Sequence, residues 1–474
     1  MKNYCKKPRT PWKGDAEVNT LKAGFARVNI TPMMGIGIRG YFKVRIADGV
    51  LDELEINALA LSDGKKKAVL LSLDNCGFNT ETMNWYRAGI AEKTGLPVDA
   101  IFISCTHTHT GPFIMMKQDE HHGMPGDDAL ILEYSQWVRR RAVDAAVFAL
   151  EDLKDARMGF GIGCAPRVAF IRRYIMKNGE IRTNPGVNNP EVDRPCGEAD
   201  ERVNIVRFDR EGAQTIVLVN FGNHPDVVGG NKISADWPGF LRRGVEKSLD
   251  NVRCVFFNGA QGDVNHVNVF PKDGDLNDLF MDFDDVSRGY GHARHIGNVL
   301  TGAVLQVFDK VAYRDVDGIR YLGRMISVPS NMPAPEDMPR ARRINELHQA
   351  GRDDEIPYKA MMLTTVVAEA ERMIHLEHGP NHFDMPLSGL AVGDIALIGL
   401  PGEPFTGIGL GLKQSPDWAA VLPCCLTNGG EGYFPMMDAY EEGGYEARSS
   451  RFRAGTAEKI VEEGLLLLKE LKNR

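Results

Sequence analysis

Apolar residues along this chain come in short runs of strand type that stop abruptly at polar, glycine-rich or histidine-bearing turns. Residues 22–61 read as paired strands, G-F-A-R-V-N-I-T-P and L-E-I-N-A-L-A-L-S-D-G, joined through a glycine-rich loop that passes Gly40. A strand A-V-L-L-S-L-D follows the Asp63-Gly64 turn, and Thr80–Gly95 has helical spacing with Asn79 or Thr80 as its cap. The run I-F-I-S-C then ends in T-H-T-H-T-G-P. Ala129–Leu153 reads as a long helix, with strands near 157–162, 202–209 and 214–221 after it. A helix from Pro238 to Leu249, the strand Arg253–Asn258 and a helix over 286–309 come next. Residues 318–327 read as a strand, 336–378 as two charged amphipathic helices forming a peripheral layer, Ile395–Leu400 and Ala419–Leu426 as apolar strands, and Ala457–Leu471 as a closing helix. There is no repeat, low-complexity tract or linker. The pattern predicts an α/β fold: a single large domain, 21–474, of mixed β-sheets flanked by helices, behind a flexible N-terminal arm, 1–20.

Five of these strands end alike. They lead into Thr106-His107-Thr108-His109, into Asn223-His224-Pro225, into Gly259-Ala260-Gln261-Gly262-Asp263, into Pro401-Gly402-Glu403-Pro404, and into Thr427-Asn428-Gly429-Gly430-Glu431-Gly432-Tyr433. Ligands of open α/β sheets bind at the carboxyl ends of strands. A sheet of these strands would gather His107, His109, His224, Asp263, Glu403 and Tyr433 on one rim. His107 and His109, two apart on extended backbone, point to the same side. Imidazoles with one carboxylate make a catalytic zinc set that keeps a position open for water, so the site is expected at strand carboxyl ends. Two histidines with a carboxylate also suit iron, and manganese is a further alternative. His121 and His122 lie in a polar loop, and His292 and His295, spaced i, i+3, read as ordinary helix residues.

Composition narrows the class. The 474 residues are 43% apolar and 25% charged with a net charge of −8, which argues against a nucleic-acid partner. No apolar run approaches the roughly 20 residues that span a bilayer. Met1–Thr20 is basic and polar and lacks the apolar segment of a signal peptide, so a cytoplasmic protein is expected. The eight cysteines form no C-x-x-C pair and several sit in apolar strands, as reduced buried thiols do.

The motifs C-T-H-T-H-T-G-P, N-H-P, N-G-A-Q-G-D-V-N, L-P-G-E-P-F and G-Y-F-P followed by G-G-Y-E resemble, in order, those of the neutral/alkaline (non-lysosomal) ceramidases over roughly residues 22–450. That family is zinc-dependent and hydrolyses an N-acyl amide bond. The resemblance implies one Zn2+ per chain, with His107, His224, Glu403 and Tyr433 on the four ligand positions. It puts His109 beside the metal, Tyr445 near the scissile amide, and Arg172 (or its neighbour Arg173) against the substrate. His109 or Asp263 would serve as the proton-transferring base. Asn265 stands where the family has an active-site Ser; it can donate a hydrogen bond but cannot act as a nucleophile. No C-terminal immunoglobulin-like domain is expected. The implied reaction is therefore cleavage of an N-acyl amide by metal-activated water. The substrate is a lipid-like ceramide or, alternatively, a small N-acyl amine, N-acyl amino acid or cyclic amide. A non-catalytic metal-binding relative is a further reading, and a homo-oligomer is possible on any of them. The loops Met33–Gly40 and Met116–Asp127 are candidate lids.

Overall fold

The computed structural model describes residues 21–117, 127–280 and 289–474. The expected N-terminal arm, His121 and His122, and most of the second candidate lid lie outside the described residues.

A nine-stranded sheet dominates. Its strands run in the order Val252–Asn258, Thr215–Phe221, Arg202–Arg210, Lys154–Cys164, Lys22–Asn29, Glu55–Ser62, Lys67–Leu73 and Ile101–Cys105, with Ala312–Arg314 added beside Lys154–Cys164. The two halves of this sheet face each other. Leu70, Ile103 and Ala58 share one apolar cluster with Leu218, Val255 and Phe257, and the Phe102 and Phe257 rings meet edge to face at 6.3 Å. Helices Thr80–Thr94 and Asp128–Glu151 pack on one outer face; Asp236–Ser248 and Tyr290–Val307 pack on the other. With both faces covered, the strands carry nearly continuous apolar runs, which is what made them legible.

A four-stranded sheet, Ile319–Pro329, His382–Val392, Ile395–Gly399 and Ala420–Cys424, abuts the first, and the closing helix Thr456–Lys472 covers it. Its long member His382–Val392 is not among the strands expected from the sequence, because Pro386, Ser388 and Gly389 break the apolar run. Burial and a full antiparallel register with Ile319–Pro329 make it a strand all the same.

Three parallel pairs fix the site's position: Lys67–Leu73 with Ile101–Cys105, Thr215–Phe221 with Val252–Asn258, and Ile395–Gly399 with Ala420–Cys424. Their carboxyl ends are stitched together. Cys105 N donates to Leu426 O, Cys425 N to Asn258 O, and Ser104 bridges Thr427. A buried ion pair crosses the layers, Arg242 donating to both carboxylate oxygens of Asp74 at the end of its strand. Among the described residues no helix is long and apolar enough to cross a membrane.

Candidate metal centre

His107 follows the strand Ile101–Cys105 by two residues and has φ 78°, in the left-handed region that non-glycine residues seldom adopt. His107 N donates to Asn75 O, which turns the ring toward the gap between the sheets. His224 lies three residues beyond Thr215–Phe221 and is fully buried. One amide braces both loops: the buried Asn258 side chain donates to Thr106 O at 3.1 Å and Asn223 O at 3.0 Å, the carbonyls just before His107 and His224. Glu403 and Tyr433 come together because Glu403–Pro404 pairs in parallel with Tyr433–Phe434, Glu403 opposite Tyr433.

Glu403 Oε2 lies 3.2 Å from His107 Nε2 and 3.1 Å from His224 Nε2. The ligand atoms of these three residues lie within 4.8 Å of one another, and all three residues are buried. The far nitrogen of each imidazole is committed to backbone carbonyls: His107 Nδ1 to Cys76 O at 2.6 Å, His224 Nδ1 to Gln261 O at 2.8 Å and Val264 O at 3.0 Å. Nδ1–H donation to a carbonyl leaves the Nε2 lone pair toward the centre, which is how metal-binding histidines are held. His224 Nε2 is moreover buried without a hydrogen-bond partner. Such an orphaned atom, in a set of two imidazoles and one carboxylate, fits a divalent cation. A second cluster, Cys76, His107 and His109, fits less well. Cys76 Sγ lies 3.9 Å from His107 Nδ1, the nitrogen already bound to Cys76 O.

Charge in the centre is tightly coupled. Burial alone would lower the pKa of His107 and raise that of Glu403, but the two sit so close that His107 is held well above its ordinary value and Glu403 well below. His109 Nε2 is 3.2 Å from His107 Nε2, and burial together with that neighbour pushes its pKa well below the usual imidazole range. Burial and the Arg172 charge also lower His224. His109 is thus a neutral imidazole at the edge of the cluster.

The Tyr433 ring stacks near His224 at 6.3 Å and meets the Tyr445 ring edge-on at 5.5 Å. Burial and the Glu403 carboxylate raise the Tyr433 phenol well above its ordinary value. Arg172 hydrogen-bonds the Tyr433 hydroxyl, pairs with Glu446 at 2.6 Å and donates to Gly262 O at 2.7 Å. Arg173, the rival reading, points away to Glu442 and Gly443 O. Of the two arginines, Arg172 is the one beside the centre.

Two expected site residues are engaged elsewhere. Asp263 Oδ1 accepts from Thr406 N at 2.7 Å and Thr406 Oγ1 at 2.8 Å, anchoring the start of the helix Thr406–Leu412. Asn265 donates to Asn184 Oδ1 and accepts from Val267 N. Neither lines the cavity in front of the His107–His224–Glu403 cluster. Conversely, the reading from motifs passed over Asn258, the Cys76 carbonyl and Asp226. Asp226 accepts from His266 Nδ1 at 2.9 Å; although burial works the other way, His266 and the nearby histidines hold it ionised, well below the usual carboxylate range. The signal was present as polar residues closing apolar strands, in V-F-F-N and N-H-P-D.

The cluster opens into a cavity of about 250 Å³, which adjoins a wider one of about 550 Å³. His107, His109, Glu403 and Tyr433 line its floor. The helices Met338–Gln349 and Ala360–Leu376, expected as a peripheral layer, form its roof, with the loop that passes Gly40 as one wall.

No protein-family model matches the chain and no curated protein matches its sequence. Its shape is similar to the crystal structure of a neutral ceramidase from Pseudomonas aeruginosa, with a TM-score of 0.70 and 15% identity, over 97% of this chain and 75% of that one. It is likewise similar to a ceramidase complexed with C2, with a TM-score of 0.69 and 14% identity, over 95% of this chain and 76% of that one. At such identities the likeness establishes the fold, which is that of the neutral ceramidases, as the motifs led one to expect.

Proposed function

We propose that this protein is a metal-dependent hydrolase of N-acyl amide bonds, with zinc as its ion. The observation that carries this is the convergence of two backbone-braced imidazoles and one carboxylate, from three distant strands, on the floor of a cavity. His107, His224 and Glu403 would hold the ion, with the Tyr433 phenol as a displaceable fourth ligand. Bound there, zinc supplies a Lewis acid for a carbonyl oxygen and a water whose pKa is brought to about 7.

The residues around it account for the rest. His109, neutral and open to the cavity, takes the proton from the attacking water and returns it to the leaving amine. Tyr433 and Tyr445, both neutral phenols, donate toward the oxygen on which negative charge develops. Arg172 acts through the Tyr433 hydroxyl, orienting it. No step needs a hydroxyl at position 265, so Asn265 is compatible with direct attack by water.

The cavity lining supports a small substrate. The roof presents Glu371, Asn345 and Gln349, polar groups that suit a small N-acyl amide better than the two long alkyl chains of a ceramide. The test is metal analysis of the purified protein, joined to hydrolysis of short- and long-chain N-acyl amides. Alanine at His107, His224 or Glu403 should abolish zinc content and turnover together; turnover retained without metal would end this reading.

A further inference from the structure

The Glu371 side chain stands on the roof helix Ala360–Leu376 and lines both connected cavities, well away in sequence from the metal cluster. Among the described residues its carboxylate has no hydrogen bond and no ion pair. The cations that line the two cavities are engaged elsewhere: Arg372 donates to Arg448 O and Asn331 O, and Arg451 pairs with Glu431. Arg39 forms no ion pair with it and lies over the Phe113 ring at 5.9 Å. His348 has both ring nitrogens committed, Nδ1 to Asp353 Oδ1 and Nε2 to Phe42 O, each at 2.7 Å. A half-buried carboxylate with no protein partner, facing a cavity, is a place where a cationic ligand would be held.

Asn345 and Gln349, one turn apart on the neighbouring helix, point polar amides into the same space. Apolar side chains line the same space, among them Phe113, Ile114 and, on the roof helix itself, Val367. A molecule that fills this space therefore meets the His–Glu cluster on the floor, apolar side chains along the lining, and an anionic, hydrogen-bonding patch on the roof. Resting on the amidase reading of the floor, we infer that Glu371 is the specificity residue of this site and binds a cationic group, an ammonium carried at the far end of a short-chain N-acyl amine substrate. The amide would lie over the floor and the ammonium under the roof, with a linker of a few methylenes between them.

Two matched compounds test this on the zinc-loaded protein. N-acetyl-1,5-diaminopentane carries the ammonium, and N-hexylacetamide is its neutral isostere. In the wild type the first should show a KM lower by about tenfold or more, the return on a charge-assisted hydrogen bond. Glu371→Gln should abolish that difference by raising the KM of the ammonium compound alone, with kcat, zinc content and the KM of N-hexylacetamide unchanged. Equal KM values in the wild type, or a Gln substitution that shifts both compounds alike, would overturn the inference. Calorimetric binding of free 1,5-diaminopentane separates this claim from the amidase reading. If neither amide is hydrolysed but the diamine binds the wild type and not Glu371→Gln, the cation subsite stands and the amidase reading fails. No diamine binding to the wild type sinks the subsite whatever the turnover.

Discussion

Glu403 Oε2 lies 3.1 Å from His224 Nε2, although the two residues come from different sheets and are 179 positions apart in the chain. Nothing else among the described residues satisfies that nitrogen. If the pair exists to grip a cation, Glu403→Gln should weaken zinc retention while leaving the fold intact. Gln keeps the shape and one acceptor oxygen but removes the charge. The loss in turnover should exceed the roughly 10–100-fold that follows removal of a residue supporting a metal ligand. Metal content by mass spectrometry and thermal unfolding of the same sample check both halves.

Asn258 should be the most sensitive position that touches neither metal nor substrate. Its amide donates to the carbonyls preceding His107 and His224, so Asn258→Ala frees both loops and leaves Thr106 O and Asn223 O buried without donors. The expected outcome is a stability loss of about 1–3 kcal/mol per lost donor at most. Weaker zinc binding, by about 10–100-fold, should accompany it. Zinc titration with a competing chelator, alongside chemical denaturation, measures the two effects separately.

Gly40 and His109 are coupled by contact. Gly40 has φ +119°, and a Cβ built there would meet His109 Cγ at 2.8 Å and Nδ1 at 2.9 Å. Gly40→Ala therefore forces the loop away or the imidazole aside. Because His107, His224 and Glu403 are untouched, zinc content should stay normal while kcat falls by about 100-fold, the cost typical of a displacement near 1 Å at a reacting group. Unchanged kcat in this variant means that the loop gives way instead, whereas unchanged kcat in His109→Ala would remove His109 from the proposed proton transfer.

How much of this the sequence displays depends on range. The five strand ends could be read because both faces of the sheets are buried, so apolar runs stop sharply at His107, His224, Asp263, Glu403 and the turn before Tyr433. That Glu403 lies opposite Tyr433 rests on a parallel pairing only two residues long, which no periodicity encodes. The direction of the Asp263 carboxylate was equally hidden, since it is set by Thr406, 143 residues away. The roof helices announced their amphipathic character but not what their inner faces cover, so Glu371 passed as one more surface charge. Asn258 and Asp226 looked like ordinary strand-ending polar residues, and their importance lies wholly in the carbonyls and imidazole they meet.

Asp263 offers a clean separation of roles. As the anchor of Thr406 it needs only an acceptor oxygen, which Asn also supplies. Asp263→Asn should therefore keep near-native stability, activity within a few fold and an unaltered pH–rate profile. Asp263→Ala should lose about 1–3 kcal/mol by stranding a buried N–H. An activity drop of about 100-fold or more in the Asn variant, the scale of a lost general base, would instead return Asp263 to the chemistry.

Glu371 links substrate choice to pH. Burial pushes its carboxyl up to about 7, against the opposing charge of His348. The folded value thus lies above the unfolded one of about 4.3. The folded protein binds the extra proton between those limits, so ionisation of Glu371 costs nothing below pH 4.3, costs progressively more as pH rises toward 7, and costs its full amount above. Replacing it with Gln removes that cost. Glu371→Gln should match the wild type in stability near pH 4.5 and exceed it at pH 8 by up to about 3 kcal/mol, less whatever solvent screening recovers. Binding follows the opposite course. Beyond the histidines of the cluster, Arg39, His348, Arg372, His375 and Arg451 are the basic groups that share the two cavities. Of the other carboxylates there, Glu403 is engaged by His107 and His224, Glu431 by Arg451 and Glu81 by Lys117, so the KM for N-acetyl-1,5-diaminopentane should rise as pH falls through about 7. N-hexylacetamide should show no such inflection. Denaturation curves at the two pH values, with KM profiles for both amides, would expose a residue that gives up stability in the free protein for the sake of a cationic ligand.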